Sequence, residues 1–328
     1  MKFRTEINPP KSNLQIEHKD SVITFGSCFA ENISEYFQFY RFDVKKNPFG
    51  VLYNPVSILN AINSLEEPKV FSEEDLVFHQ DEWHSFYHHS DFSNHVKDEC
   101  LNSINERVVS AAEYIRKAKV IIITFGTAFV FKHLEKGFIV SNCHKIPKDQ
   151  FSRFRLSVDE AVENIESIVD AISRINNEAK IVFTVSPVRH WRDGAVENQL
   201  SKATLLLAVN NVVNTKSNCF YFPSYEIVMD DLRDYRYYES DLLHPNKLAT
   251  DYIWGKFSAT HFTEKCLSAM NEIKVIAEAR LHRPRNIESN AHQKFLKKQL
   301  KIIDQLELKY GHLNLEGDKK YFRGQLTL

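Results

Sequence analysis

Three side chains that could form a serine-dependent hydrolytic site occur in two distant segments of the 328-residue sequence. Ser27 comes just after the apolar run of residues 21–25, and Asp241 and His244 share the short segment DLLHPN. A carboxylate three residues before a histidine can orient its imidazole, and an oriented imidazole can deprotonate a serine hydroxyl. These residue types predict acyl-transfer chemistry, with Ser27 as the nucleophile, His244 as the base and Asp241 orienting the base.

The predicted strand and helix around Ser27 put its hydroxyl where such chemistry is found. In open parallel sheets, ligands bind beyond the carboxyl ends of the strands, and the N–H groups at a helix start stabilise an oxyanion. The alternative is that Gly26 makes a turn and Ser27 only caps the helix. The alternative interpretation of Asp241 and His244 is that they are a surface aspartate and a helix-capping histidine. The combination of both segments favours the catalytic interpretation more than either segment alone.

Short apolar runs rich in β-branched residues alternate with helical patterns along the chain. The runs predicted as strands are residues 21–25, 120–125, 181–185 and 219–222. Helices are predicted after Ser27, from Asn54, over residues 104–118, from the capping box of Ser157 and Glu160, and after Pro245. This alternation predicts an α/β protein with a parallel sheet covered by helices.

Two insertions and a terminal extension do not fit a minimal sheet of this kind. The aromatic and histidine-rich residues 71–94, called the His-rich segment below, and a hairpin over residues 129–140 are expected to wall a binding cleft. We expect a catalytic domain over residues 1–262 and a helical extension over residues 263–328. The basic final helix carries an apolar stripe, which predicts either packing within the chain or a homo-oligomer contact. The stripe consists of Leu296, Leu300, Ile303, Leu306 and Tyr310.

Composition excludes several classes of partner. The sequence is 43% hydrophobic, as expected of a globular protein, and 42 Lys+Arg against 43 Asp+Glu give a net charge of −1. No overall field therefore favours nucleic acid or an anionic membrane. No apolar run has the length of a signal-peptide core or a membrane span, so the expected location is the cytoplasm. The five scattered cysteines are expected to be reduced thiols.

The string GSCFA at residues 26–30 resembles the GSCFA family of the SGNH/GDSL hydrolase superfamily. Other strings that resemble this family are residues 47–50 (NPFG), 52–55 (LYNP), 126–128 (GTA), 142–145 (NCHK), 186–190 (SPVRH), 192–194 (RDG), 197–198 (EN) and 201–203 (SKA). The resemblance implies a three-layer α/β/α, flavodoxin-like fold and a catalytic site onto which Ser27, Asp241 and His244 match. It also implies ester chemistry that needs no cofactor.

The resemblance further implies an oxyanion hole completed by a glycine and an asparagine. We expect the backbone N–H groups of Ser27 and Gly50 to belong to it. The asparagine of the Gly-x-Asn pattern is missing, because residues 126–128 are Gly-Thr-Ala. Each candidate for the missing donor has the alternative of a turn or capping residue. The candidates are Thr127, Asn142 and Asn47.

Cys28 is a rival to Ser27 as the nucleophile. A helix N-terminus lowers the pKa of a thiol, and a nearby histidine would lower it further. Ser27 is preferred because it takes the place of the serine in the family it resembles. Cys28 is then expected to pack inward as a small apolar side chain.

Arg189 and His190 follow the third predicted strand and are candidates for substrate binding. The planar guanidinium of Arg189 suits a carboxylate or phosphate. Its alternative is a structural ion pair with Asp193 or Glu197. His190 competes with His244 for the role of base, and His244 is preferred because a carboxylate precedes it by three residues.

The histidines of the His-rich segment offer a metal-binding alternative. They are His79, His84, His88 and His89, which Cys143 and His144 could join. Zinc needs three or four converging ligands, and His84 and His88 would converge only on a helix. The surrounding sequence favours strand or loop instead. We therefore expect a wall in which His88 and His144, together with Asn47, bind substrate.

The sequence thus predicts a serine-dependent ester hydrolase or O-acyltransferase acting on a small-molecule or saccharide ester. Two other classes remain open. One is a catalytically silent carbohydrate-binding or scaffold protein on the same fold, which the missing asparagine favours. The other is a metal-dependent hydrolase built on the His-rich segment.

Overall fold

The strands of the structure, a computed structural model that describes residues 4–327, form one central sheet and two smaller ones. In chain order they are β1 (Val22–Gly26), β2 (Val44–Lys46), β3 (Leu76–His79), β4 (Glu82–Ser85), β5 (Val120–Phe125), β6 (Phe129–His133), β7 (Ile139–Val140), β8 (Phe151–Arg155), β9 (Lys180–Val185) and β10 (Cys219–Tyr221). The central sheet is parallel, with the strand order β10-β9-β5-β1-β2. Its strands β1, β5, β9 and β10 are the four predicted from the sequence.

The helices of the described residues cover both faces of this sheet. In chain order they are α1 (Cys28–Phe39), α2 (Pro55–Glu66), α3 (Lys97–Ile115), α4 (Val158–Ile175), α5 (Gly194–Thr215), α6 (Ser224–Glu226), α7 (Lys247–His261), α8 (Glu264–Leu281), α9 (Asn290–Lys309) and α10 (Glu316–Arg323). Side chains alternate between the two faces of a strand. Ile23 and Phe25 of β1 accordingly pack with α2 to α5, whereas Val22 packs with α1 and α7. The predicted three-layer α/β/α fold is confirmed.

The helix-start signals of the sequence act as expected. Ser157 and Glu160 cap α4 reciprocally, each side chain accepting the other residue's backbone N–H. The Asn54 side chain accepts the N–H of Ser57, with Pro55 at the first helical position of α2. Asn54 thus ends the loop after β2 of the central sheet, and Ser157 ends the short connection after β8.

The two smaller sheets are antiparallel insertions. β3 pairs with β4 inside the His-rich segment, and β6 pairs with both β7 and β8. The predicted hairpin over residues 129–140 is confirmed, and its turn contains Gly137 at a φ of 75°. The strand β8 was not predicted. His84 lies on β4 and not on a helix, as the sequence favoured.

The terminal helices α8, α9 and α10 share a hydrophobic cluster of their own. The prediction that the helix with the apolar stripe is the last one is wrong, because the stripe belongs to α9 and α10 follows it. The stripe packs within this cluster, so the predicted homo-oligomer contact would need another surface. The boundary at residues 262/263 stays a prediction. Within residues 4–327, the helices lack the combination of length and apolar character that crossing a membrane requires.

Candidate active site

Ser27 lies between the end of β1 and the start of α1, buried at 1% exposure. It occupies the capping position of α1, yet its side chain makes no capping hydrogen bond. Its hydroxyl has no hydrogen-bond partner among the described residues. Its backbone N–H donates to the carbonyl of Thr124 on β5, at 3.1 Å. The hydroxyl thus lies at the carboxyl edge of the sheet and makes no structural hydrogen bond there.

Asp241 and His244 form a preorganised pair on the loop before α7. Nδ1 of His244 lies 2.6 Å from Oδ2 of Asp241, while Oδ1 accepts the N–H groups of Leu243 and His244 at 2.9 and 3.0 Å. These backbone bonds first, and the His244 side chain next, lower the pKa of Asp241 to about 2. An ionised Asp241 requires the hydrogen on Nδ1 of His244. Nε2 is then left with the lone pair that a general base needs.

Gly126 separates Ser27 from His190. An added Cβ on Gly126 would lie 3.4 Å from Nε2 of His190, 3.4 Å from Cβ of Ser27 and 3.0 Å from the Tyr53 ring. The ring of Tyr53 meets the ring of His190 edge-on. Gly126 therefore lies against both Ser27 and His190, and a side chain there would crowd the Tyr53 ring.

His190 is the histidine that the structure places beside Ser27. Burial chiefly, then the charges of Lys202 and His244, lower the pKa of His190 to about 4. Ser27 makes no hydrogen bond to either histidine within the described residues.

Lys202 on α5 is a fully buried lysine next to Gly126, with 0% exposure. Its Nζ donates to the carbonyls of Gly126 and Ser186, at 2.6 and 2.7 Å. Burial is the main cause that lowers its pKa to about 7. Sequence analysis missed Lys202 as a site residue. The available signal was the string SKA at residues 201–203, which resembles the GSCFA family.

The backbone donors predicted for the oxyanion hole are engaged elsewhere. The N–H of Ser27 donates to Thr124, and the N–H of Gly50 donates to the carbonyl of Asn47 at 2.8 Å. Gly50 has a φ of 74°, and a Cβ there would collide with His89. Its role in this structure is to let the loop after β2 pass close to the His-rich segment.

The three side-chain candidates for the missing donor have different surroundings. Thr127 shares a hydrogen bond of 3.0 Å with Ser201 and accepts the N–H of Phe129. Asn142 accepts the N–H of His144 and so forms a turn. Asn47 is 4% exposed, and neither atom of its amide has a partner among residues 4–327. Of the three, only Asn47 is a buried amide without a hydrogen-bond partner in the described residues.

The His-rich segment packs against the loop that carries Asn47. His88 is fully buried, stacks on Phe49 at 4.9 Å and bonds to the Ser85 hydroxyl. His144 bonds to the Ser85 carbonyl at 2.8 Å. Burial is the main cause that lowers the pKa of His88 to about 3 and of His144 to about 4. Both rings are therefore neutral at ordinary pH.

Potential metal ligands do not converge in the part of the chain that the structure describes. No three His, Cys, Asp or Glu side chains there are grouped so that they could hold a metal ion. His84 bonds to Ser93 and to the carbonyl of His79, so both of its ring nitrogens are used. No contact of the His-rich segment therefore favours the metal-dependent alternative.

Arg189 has no carboxylate partner in the described residues. The two carboxylates considered for it are taken by other arginines: Asp193 pairs with Arg153, and Glu197 lies 3.6 Å from Arg155. A guanidinium N–H of Arg189 instead lies 3.2 Å from the sulfur of Met229. The structural ion pair considered as an alternative is not formed, which leaves the charge of Arg189 for a ligand.

Cys28 has the opposite electrostatics from an activated thiol. Burial raises its pKa, although the neighbouring backbone N–H of Phe29 and the charge of Lys202 act against this rise. A raised pKa leaves little thiolate at neutral pH. This finding favours Ser27 as the nucleophile.

Comparisons with known proteins place the chain in a family. A comparison with curated proteins finds no match. One solved structure that matches is the crystal structure of a carbohydrate esterase family 3 from Talaromyces cellulolyticus, with 7% identity, a TM-score of 0.33 and coverage of 77% of this chain and 99% of that chain. The family model GSCFA family matches residues 21–257, and the model GSCFA domain protein, C-terminal domain, matches residues 273–328. The chain belongs to the GSCFA family.

Proposed function

We propose that this protein is a serine-dependent ester hydrolase or O-acyltransferase of the SGNH type. The observation that carries the proposal is the 2.6 Å bond between Asp241 and His244, which fixes the imidazole with Nε2 as its proton acceptor. It occurs together with an unpaired Ser27 hydroxyl at the start of α1. A nucleophile and an oriented base are the two parts that acyl transfer requires.

The residues support a two-step reaction. Ser27 Oγ attacks the ester carbonyl carbon while Nε2 of His244 takes the hydroxyl proton, and Asp241 stabilises the imidazolium. His244 then returns the proton to the leaving alcohol oxygen as the C–O bond breaks. The acyl group on Ser27 passes to water in a hydrolase or to another hydroxyl in a transferase. Ser27 and His244 must approach for this, and such catalytic bonds often tighten only in the substrate complex.

The substrate we propose is an ester of a carbohydrate or of another hydroxylated small molecule. The unpaired amide of Asn47 supplies a buried donor and acceptor for a hydroxyl. The guanidinium of Arg189 suits a carboxylate or phosphate on such a molecule. These side chains come from the loops after β2 and β9. Loops at the carboxyl ends of parallel strands are where α/β proteins bind ligands.

A fluorophosphonate probe tests the nucleophile. We expect the probe to label Ser27, and we expect Ser27→Ala to abolish both labelling and hydrolysis of p-nitrophenyl acetate. Cys28→Ala is the matched control, and it should keep most activity because its thiol has a raised pKa. Labelling of Cys28 by iodoacetamide, with an inactive Cys28→Ala and an active Ser27→Ala, would replace serine by cysteine in the proposal.

A catalytically silent carbohydrate-binding protein is the second candidate. It is favoured by Ala128, which stands where the Gly-x-Asn pattern has its asparagine, and by the engaged N–H groups of Ser27 and Gly50. The same assay separates the two functions. Saccharide binding without ester turnover or probe labelling would support the silent protein.

A further inference from the structure

The oxyanion formed at Ser27 needs a hydrogen-bond donor that the expected residues do not offer. The N–H groups of Ser27 and Gly50 donate to carbonyls, and the Thr127 hydroxyl is hydrogen-bonded to the Ser201 hydroxyl. Ala128 has no polar side chain at all. A buried donor on the Ser27 side of Gly126 would fill this gap.

Nε2 of His190 is the nearest candidate that the structure offers. It and Cβ of Ser27 each lie 3.4 Å from the point where a Gly126 Cβ would be. This nitrogen is buried and has no hydrogen-bond partner in the described residues. Its own backbone N–H is fixed by the side chain of Asn198, at 2.9 Å. An unpaired buried ring nitrogen costs free energy unless a ligand pairs with it.

The groups around His190 favour the neutral form of its ring. Burial and the charges of Lys202, His244 and Arg153 lower the pKa of His190, whereas the carboxylate of Asp193, which is paired with Arg153, acts in the opposite direction. A general base needs a partner that stabilises its protonated form, as Asp241 does for His244. Asp193 is paired with Arg153 and not with the His190 ring, so His190 is poorly suited to accept a proton. A neutral imidazole with its hydrogen on Nε2 is well suited to donate a hydrogen bond.

We infer that His190 is a catalytic residue whose Nε2–H holds the oxyanion in place of the missing asparagine. The inference rests on the proposed function and adds a residue to it. As Ser27 Oγ bonds to the carbonyl carbon, the C=O π pair moves onto the oxygen, and the Ser27 proton goes to His244. Nε2–H of His190 donates to that oxygen and keeps its own proton. When the bond to the leaving alcohol breaks, the pair returns to the carbonyl.

Three variants of His190 test this role in the full-length protein with p-nitrophenyl acetate. His190→Phe keeps a ring without a donor, His190→Ala removes the ring, and His190→Gln keeps an N–H donor. We expect kcat to fall about 10²- to 10³-fold in the Phe and Ala variants, with little change in KM, as for loss of one oxyanion donor. His190→Gln should recover roughly tenfold of that loss. The acid limb of the pH–rate profile should persist in all three variants, because the base is His244.

His261→Gln is the matched control. His261 is also a buried histidine without hydrogen-bond partners for its ring in the described residues, but it lies at the end of α7 among aromatic side chains. Its substitution should leave kcat unchanged. The inference is overturned if His190→Phe and His190→Ala both keep kcat within about threefold of the wild type, or if the acid limb disappears with His190. Turnover that requires Ser27 but not His190 would leave the proposed function intact, whereas absence of Ser27-dependent turnover would overturn both.

Discussion

Single residues of this site are held by contacts that favour one protonation state. Asp241 accepts two backbone N–H groups as well as His244 Nδ1, and its pKa of about 2 keeps it ionised throughout any practical assay range. The carboxylate therefore keeps the hydrogen of the neutral His244 ring on Nδ1. The acid limb of the rate must then come from a group other than Asp241.

Asp241→Asn tests this account of the base. The amide should present an N–H to Nδ1 and favour the wrong tautomer, so we expect kcat for ester hydrolysis to fall by about 10⁴ while the fold persists. Asp234→Asn is the control, because Asp234 accepts a backbone N–H in a similar way on the preceding turn. Equal, near-normal kcat values in both variants would remove Asp241 from the mechanism.

From the sequence, candidate side chains could be chosen by residue type and order but not by their contacts. Ser27, Asp241 and His244 could be chosen because each follows or precedes a recognisable element, and the local bond between Asp241 and His244 spans only three residues. The approach of His190 to Ser27 depends on the close packing of Gly126 and Tyr53 between distant segments. No spacing in the sequence encodes that approach.

Among the elements, α5 fixes the loop between β5 and β6. Lys202 binds the carbonyl of Gly126, and Ser201 accepts the N–H of Ala128 at 2.8 Å. Two consecutive helical residues thereby hold the segment that stands between Ser27 and His190. Lys202 also binds the carbonyl of Ser186 after β9, so the helix ties two neighbouring strand ends together.

The ionisation of Lys202 should appear in the pH dependence of stability. Its folded-state pKa of about 7 lies below the value of an unfolded lysine, so between these values the unfolded chain binds the extra proton. The free energy of unfolding should therefore rise with pH above about 7, by up to about 1.4 kcal/mol per pH unit from this group. Urea titrations of the wild type and Lys202→Met across this range measure the difference. Parallel pH profiles for the two proteins would refute the assignment.

Helices and strands were predicted correctly where neighbouring residues in the sequence indicate them. They were not predicted where their formation depends on contacts between distant segments. Helix α3 begins at Lys97, before the predicted start at residue 104. The sequence did not indicate this start, because Val96 provides no capping side chain and the first turn is charged. β8 was not predicted because its side-chain packing against β6 involves a cation: Arg153 lies over the ring of Phe129, at 4.0 Å. A capping box can be recognised within four consecutive residues. The contact between Arg153 and Phe129 can be recognised only when the pairing of β6 and β8 is known.

In the whole molecule, the terminal helices join the α/β layers through a buried ion network. Asp318 on α10 is 2% exposed and accepts two hydrogen bonds from Arg41, at 2.7 and 2.8 Å, and one from Arg280 at 3.2 Å. Arg41 lies just beyond the end of α1, after Tyr40, and α1 begins next to Ser27. A second contact joins His18 to His312, at 3.0 Å. The contacts of Asp318 thus join α10 to the C-terminal end of α1.

Asp318→Asn should weaken this attachment. Burial opposes ionisation, but Arg41 and Arg280 prevail and lower the pKa of Asp318. Its stabilising contribution is therefore present above the unfolded-state pKa of an aspartate and is lost as pH falls through the lower folded-state value. Removing one charge from a buried pair leaves its partner uncompensated, so we expect the free energy of unfolding at neutral pH to fall by about 3 kcal/mol.

Asp304→Asn is the control, since the exposed carboxylate of Asp304 pairs with Lys319 and its substitution should change stability little. Urea unfolding of the full-length variants measures both effects, and equal stability of the two variants would show that the Arg41–Asp318 pair does not hold the terminal helices in place.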